Sequence, residues 1–204
     1  MIKAVLWDLG DVLCRFHPDR RVREIARSSG ASEHDVRALL TPELLGRLDA
    51  GDMTGDALLA SVRAELGWQC TVAELGTTWA AAFAPDHSVL NLARRLVVPA
   101  ALLTNNGQPL SDHYRELIPA VAEVVPLAFF SGHTRLVKPD GAAFVNACAA
   151  LDAAPSDVLL IDDSAANVAA ASGADLRTHH YRSPELLETF LKREHLLDSW
   201  RARA

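Results

Sequence analysis

Short, mainly apolar runs alternate along this chain with stretches of helical periodicity. Ile2–Trp7, Ala100–Leu103, Val124–Phe130 and Val158–Ile161 read as buried strands, with Leu176–His180 a weaker fifth. Between and after them the apolar positions take helical spacing in Val89–Leu96, Ser111–Leu117, Gly141–Leu151, Ala165–Ser172 and Pro184–Arg193. This alternation predicts an α/β fold, a parallel sheet covered by helices on both faces. Ligands of such sheets bind at the carboxyl ends of the strands.

Residues from about Phe16 to Pro85 break the alternation. They hold no convincing strand, only the helical stretches Asp19–Ser29, Ser32–Leu40, Glu43–Ala50, Gly55–Leu66 and Val72–Phe83. Ser32, Thr41 and Thr54 stand where N-caps belong. The segment leaves after the first strand and returns before the Val89 helix, so it reads as a helical insertion in the α/β core. The arginine-rich end, with Arg201 and Arg203, is expected to be a frayed, solvated tail.

Composition narrows the function classes. The chain has 204 residues, half of them apolar, enough for a real core. A formal charge of −6 speaks against a nucleic-acid partner, which calls for a basic face. No run approaches the ~20 apolar residues of a membrane span, and the N-terminus lacks the features of a signal peptide. The expectation is a cytoplasmic protein with no membrane partner; monomer and homodimer are equally compatible with it. Cys14, Cys70 and Cys148 have no metal or CxxC spacing and are expected as reduced, mostly buried thiols. Among 20 basic residues only Lys3, Lys138 and Lys192 are lysines. A chain so sparing of lysine nevertheless places one in Val137-Lys138-Pro139, which suggests a chemical demand there.

Four polar motifs follow apolar runs: Asp8 in Trp7-Asp8-Leu9-Gly10-Asp11, Thr104-Asn105-Asn106, Lys138-Pro139-Asp140, and Asp162-Asp163-Ser164. Asp8 is the candidate nucleophile, since a carboxylate can attack phosphorus and form an acyl phosphate. Thr104 can donate its hydroxyl to a phosphoryl oxygen, with Asn105 beside it as a phosphate-binding candidate. Lys138 neutralises charge shared by nucleophile and phosphoryl group, while Asp140 reads as the cap of the next helix. Asp162 and Asp163 offer the hard oxygens that Mg²⁺ takes. Asn167, one helical turn beyond Asp163, is placed to orient that carboxylate.

The order and content of these motifs resemble the haloacid dehalogenase superfamily, whose members are mostly Mg²⁺-dependent phosphatases. The resemblance implies a Rossmann-like core of residues 1–15 and 86–204 with an inserted helical cap of 16–85. It implies a small phosphorylated metabolite as substrate and an aspartyl-phosphate on Asp8. It also implies Mg²⁺ held by Asp8, the Gly10 carbonyl, Asp162 and Asp163. Asp-Leu-Gly-Asp-Val-Leu is similar to the Asp-Leu-Gly-Asn-Val pattern of bacterial glucose-1-phosphate phosphatases, and Gly51-Asp52-Met53-Thr54 is similar to that subgroup as well.

The chain departs from the family in one place. Phosphatases of this superfamily usually carry an acid/base aspartate two residues after the nucleophile, where this chain has Gly10. General acid–base help is worth about 10²–10⁴ in rate. Three repairs are open: Asp11 swings into a catalytic role, a cap residue supplies the acid, or the substrate has a good leaving group. His17 is the cap-proximal candidate for a substitute acid. Arg20, Arg21, Arg47 and Trp68 can face the site, although solvated or packing roles are the simpler expectation, and His179 and His180 receive no role. True haloacid dehalogenases place an aromatic residue at the Gly10 position and need no Mg²⁺, so Gly10 speaks against that activity. A phosphosugar mutase or phosphotransferase and a catalytically weak phosphometabolite-binding protein are the competing readings.

Overall fold

The four residues Ala4–Trp7 are all apolar and all buried, as a strand covered on both faces requires, and they form β1 of the computed structural model. Residues 1–198 are described; Arg201 and Arg203 of the expected tail lie outside them. After β1 come β2 (Cys14–Phe16) and five helices, α1 (Pro18–Ser29), α2 (Glu33–Leu39), α3 (Pro42–Asp49), α4 (Gly55–Leu66) and α5 (Val72–Ala80). The chain continues with β3 (Phe83–Pro85), α6 (His87–Arg94) and β4 (Ala100–Thr104). Three short helices follow, α7 (Gln108–Ser111), α8 (Tyr114–Leu117) and α9 (Pro119–Ala122). The described chain closes with β5 (Ala128–Phe130), α10 (Ser131–Thr134), α11 (Gly141–Ala150), β6 (Val158–Asp162), α12 (Ala165–Gly173), β7 (Arg177–His180) and α13 (Pro184–Arg193).

The five strands of the main sheet lie in the order β5-β4-β1-β6-β7, all parallel. β1 is central, with Trp7 opposite Leu102 on one side and Ile161 on the other. Strand order therefore reverses on either side of β1, and its carboxyl end is the crevice where such folds bind ligands. Alternate side chains feed opposite layers: Val5 and Trp7 pack with Leu102, Leu159 and Ile161 on one face, Ala4 and Leu6 with Phe144, Ala147 and Cys148 on the other. All three cysteines are free and buried, as expected.

Helices α1–α5 follow one another without a strand, and their caps hold as expected. Ser32, Thr41 and Thr54 accept the amides of Asp35, Leu44 and Ala57. Thr71 adds a capping box with Glu74.

Three local expectations change. The helix expected over Val72–Phe83 stops at Ala80, and Phe83–Pro85 pairs antiparallel with Cys14–Phe16. Phe16 and Phe83 pack 5.1 Å apart across that ribbon, giving its short strands a tertiary reason that periodicity cannot show. In the expected strand Val124–Phe130 only Ala128–Phe130 pairs, because Pro126 lacks the amide a ladder needs. The helix expected over Ser111–Leu117 is two short ones broken near His113, the first beginning earlier behind Pro109.

Candidate active site

Asp8 immediately follows β1, Thr104 ends β4 and Asp162 ends β6, so parallel pairing brings the three to one edge of the sheet. Lys138 reaches them from the loop before α11. Its buried ammonium donates to Asp8 Oδ1 at 2.7 Å and to Asp162 Oδ2 at 2.7 Å. Asn105 fixes the lysine's backbone: its Nδ2 donates to the Lys138 carbonyl at 2.8 Å, and its Oδ1 accepts the Lys138 amide at 2.9 Å. The Asn105 amide is thus committed to the lysine on both sides. Asn106 Nδ2 donates to the Thr104 hydroxyl at 2.9 Å, so that hydroxyl keeps its own proton for another acceptor.

Asp162 is fully buried and densely held. It accepts the Ser164 amide at 2.9 Å and the Asn167 side-chain amide at 3.0 and 3.1 Å. Asn167 therefore orients Asp162, not Asp163 as its spacing suggested. The reason is the tight Ser164-capped start of α12, which turns the Asn167 side chain back over β6. His180, given no role from sequence, bonds the Asp163 carbonyl through Nε2 at 2.8 Å and steadies the same loop. Asp140 caps α11 by accepting the Ala142 amide, as expected.

Asp8, Asp162 and Asp163 each offer a carboxylate oxygen, and these atoms lie within 4.8 Å of one another. Burial, with Asp162 adding to it, raises Asp8 to about 6 against the pull of Lys138. Asp163 is raised as well, by burial and then by the negative charge of Asp162. Burial alone would lower Lys138, but Asp8 and Asp162 outweigh it and hold the ammonium above its ordinary range. Three carboxylates against one ammonium leave a formal excess of two negative charges in a set of hard oxygen donors. That donor set fits a divalent cation such as Mg²⁺. Gly10 lies on the wall beside it.

Asp8, Gly10, Thr104, Lys138 and Asp163 line a cavity of about 350 Å³, from which Asp162 is fully buried. Asp11 stands on its wall with a φ of 52°, a left-handed conformation that aspartate tolerates, and its Oδ1 accepts the Phe16 amide at 3.0 Å. From β2 and helices α1, α3 and α5 the wall is built by Phe16, Arg21, Asp49 and Trp79. The Arg21 side chain is buried, stacks 4.0 Å from the Trp79 ring centroid and donates to the Trp79 carbonyl. Burial lowers its pKa to about 10 despite the nearby Asp49. Burial raises Asp49 to about 6, opposed by Arg21 and the Gly107 amide.

Arg21 is one of the four residues that the sequence allows to face the site, although a solvated or packing role is the simpler expectation there, and nothing in the sequence singles out Asp49. Only the folded arrangement of α1, α3 and α5 brings them to the cavity that Asp8 lines. Arg20 and Trp68 line a different, wider surface groove of about 750 Å³ that contains none of the motif residues. Arg47 is exposed, and His17 caps α1 through its backbone position without a side-chain bond.

A family model for haloacid dehalogenase-like hydrolases matches residues 2–175, and the chain belongs to that family. Among solved structures it is similar to a HAD family enzyme from Bacteroides thetaiotaomicron in complex with magnesium and inorganic phosphate. The TM-score is 0.72 at 19% identity, over 89% of this chain and 95% of that one. A predicted HAD-like family hydrolase from Porphyromonas gingivalis gives a TM-score of 0.72 at 20% identity, over 95% and 98% of the two chains. L-2-haloacid dehalogenase from Xanthobacter autotrophicus gives 0.61 at 19% identity, over 94% and 83%. At these identities the likeness is one of fold, a Rossmann-like α/β architecture. Comparison with curated protein sequences returns no match.

Proposed function

We propose that this protein is a Mg²⁺-dependent phosphoric monoester hydrolase acting on a small phosphorylated metabolite, with a sugar phosphate the favoured class. The observation that carries the reading is the ion cluster: Lys138 at 2.7 Å from both Asp8 and Asp162, with Asp163 completing a compact carboxylate set. Asp8, the Gly10 carbonyl, Asp162 and Asp163 would hold the ion. When bound, Mg²⁺ offsets the repulsion between the attacking carboxylate and an anionic phosphoryl group.

The chain's own residues supply the rest. Asp8 attacks phosphorus in line and becomes an aspartyl-phosphate as the leaving oxygen departs. Lys138 and the Thr104 hydroxyl hold phosphoryl oxygens, and both are already oriented, Lys138 by Asn105 and Thr104 by Asn106. Water then releases phosphate and restores the Asp8 carboxylate. A cavity of about 350 Å³ suits a small metabolite. The structure from B. thetaiotaomicron, which holds magnesium and inorganic phosphate, supports the same reading by analogy.

The motif likeness to glucose-1-phosphate phosphatases favours a sugar phosphate with a good leaving group. A haloacid substrate is disfavoured because Gly10 brings no aromatic side chain and the carboxylate cluster suits a cation. Phosphate release from a panel of sugar and other small phosphoesters, with Mg²⁺ and with chelator, tests the reading. Turnover that needs Mg²⁺ and vanishes in Asp8→Asn is expected. Turnover undiminished by chelator or by Asp8→Asn contradicts it. Transfer of the phosphoryl group to a sugar in place of water would mark a phosphotransferase.

A further inference from the structure

The phosphatase reading leaves one proton without a carrier. Gly10 has no side chain to protonate the leaving group, and the position is not one that demands glycine: a Cβ there would meet only Phe16, at 3.7 Å. We propose that Asp49, at the end of α3, is the general acid that protonates the leaving-group oxygen and the general base that then activates water. This rests on the phosphatase reading and deepens it.

Placement comes first. Asp49 and Asp8 line the same cavity, one from the helical segment and one from the sheet edge. In-line displacement sends the leaving oxygen away from the attacking Asp8, toward whatever stands across the cavity. Asp49 is also fixed relative to the phosphoryl site. The backbone at the end of α3 presses on the loop that carries Thr104, Asn105 and Asn106. A Cβ on Gly107 would lie 2.8 Å from the Leu48 carbonyl, and one on Gly132 would lie 2.7 Å from Gly107 Cα and 3.2 Å from that same carbonyl. Gly51, two residues past Asp49 with a φ of 74°, packs equally close to Gly132. Arg135 donates to the Gly51 carbonyl at 3.2 Å, and Gln108 Oε1 accepts the Gly55 amide at 2.6 Å. Three glycines, backbone against backbone, and two hydrogen bonds with the side chains of Arg135 and Gln108 therefore join this stretch to the core.

Asp11 is the alternative carrier. The Asp11 carboxylate already accepts the Phe16 amide in a left-handed turn. Asp49 faces Arg21 and the Gly107 amide, and the lining of the same cavity also carries Asp8, Asp11, Asp163 and Lys138. With its pKa raised to about 6 by burial, Asp49 exchanges a proton near neutral pH, the range an acid/base group needs. The steps balance. Asp8 forms its bond to phosphorus, the P–O bond to the leaving group breaks, and that oxygen takes the Asp49 proton. Water then bonds phosphorus, the Asp8–phosphorus bond breaks, and Asp49 recovers a proton from the water.

The test compares two esters of similar shape with Mg²⁺ present: 4-nitrophenyl phosphate, whose leaving group needs little protonation, and phenyl phosphate, whose leaving group needs more. In Asp49→Asn, kcat/KM should fall ~100-fold or more for phenyl phosphate and under ~10-fold for the nitrophenyl ester. Adding Gly10→Asp to Asp49→Asn should return ~10-fold or more of the lost phenyl phosphate activity. Wild-type enzyme should show an alkaline limb near pH 6 with phenyl phosphate, a readout that does not depend on any variant folding. Equal losses on the two esters, a missing alkaline limb, or a selective loss in Asp11→Asn overturns the assignment of Asp49 while the phosphatase reading stands. Wild-type enzyme that turns over neither ester with Mg²⁺ overturns both.

Discussion

Asn105 grips the backbone of Lys138 at both polar atoms, donating to its carbonyl at 2.8 Å and accepting its amide at 2.9 Å. The lysine that bridges Asp8 and Asp162 is thus aimed by a residue 33 positions earlier in the chain. Asn105→Ala removes both bonds and leaves two backbone groups to find water. It should cost ~1–3 kcal/mol of stability and lower kcat more than it raises KM. Urea unfolding and steady-state kinetics on the same preparation check both parts.

Lys138 itself is the only cation bonded to Asp8 and the buried Asp162 among the described residues. Lys138→Met keeps the volume and strands two carboxylates against each other. Breaking a buried pair this way costs about 3–5 kcal/mol. Added Mg²⁺ should restore part of that loss, because the carboxylates would hold it in place of the ammonium. Acid below about pH 6 should do the same, since Asp8 is already raised to about 6 and takes up a proton readily. Urea melts with and without Mg²⁺ at two pH values read this out.

Asn106 donates to the Thr104 hydroxyl at 2.9 Å and so leaves the hydroxyl proton free for a phosphoryl oxygen. Losing one such bond is worth ~0.5–1.5 kcal/mol. Asn106→Ala should therefore weaken competitive inhibition by inorganic phosphate up to ~10-fold, with little change in thermal stability.

Asp49 makes stability depend on pH in a defined direction. Its folded pKa, raised from 3.8 to about 6, means the folded state holds the proton more tightly than the unfolded one. The stability it contributes is full below pH 4 and is lost as pH rises through about 6. Asp49→Asn has no such loss, so it should match wild type near pH 4 and exceed it by ~1–3 kcal/mol above pH 7, after discounting for partial solvation. Thermal melts of both proteins across that range decide the sign.

What could be seen from the sequence is what sits beside a strand end. Asp8, Thr104 and Asp162 announce themselves because a buried apolar run stops on a polar residue, and parallel pairing then brings the stops together. Lys138 was legible through the scarcity of lysine. Asp49 was not, and Arg21 stood only as one of four candidates, since each lies on an amphipathic helix where a buried charge and a solvated one look alike. Only the packing of α1, α3 and α5 separates them. The same limit explains β2 and β3. Three-residue strands carry no period, and their reason for existing is the contact between Phe16 and Phe83. Asn167 shows a finer limit: its spacing from the acidic pair was informative, but which carboxylate it holds is set by the direction its side chain takes in the fold.

The covalent role of Asp8 is the centre of the account. Enzyme mixed with Mg²⁺ and a substrate it hydrolyses, quenched in acid within the first turnovers and digested, can be examined by mass spectrometry for phosphorylated peptides. A phosphoryl group on Asp8, absent from the Asp8→Asn protein, is the result predicted. Steady turnover with no phosphorylated Asp8 at any quench time, or turnover that survives Asp8→Asn, would contradict it.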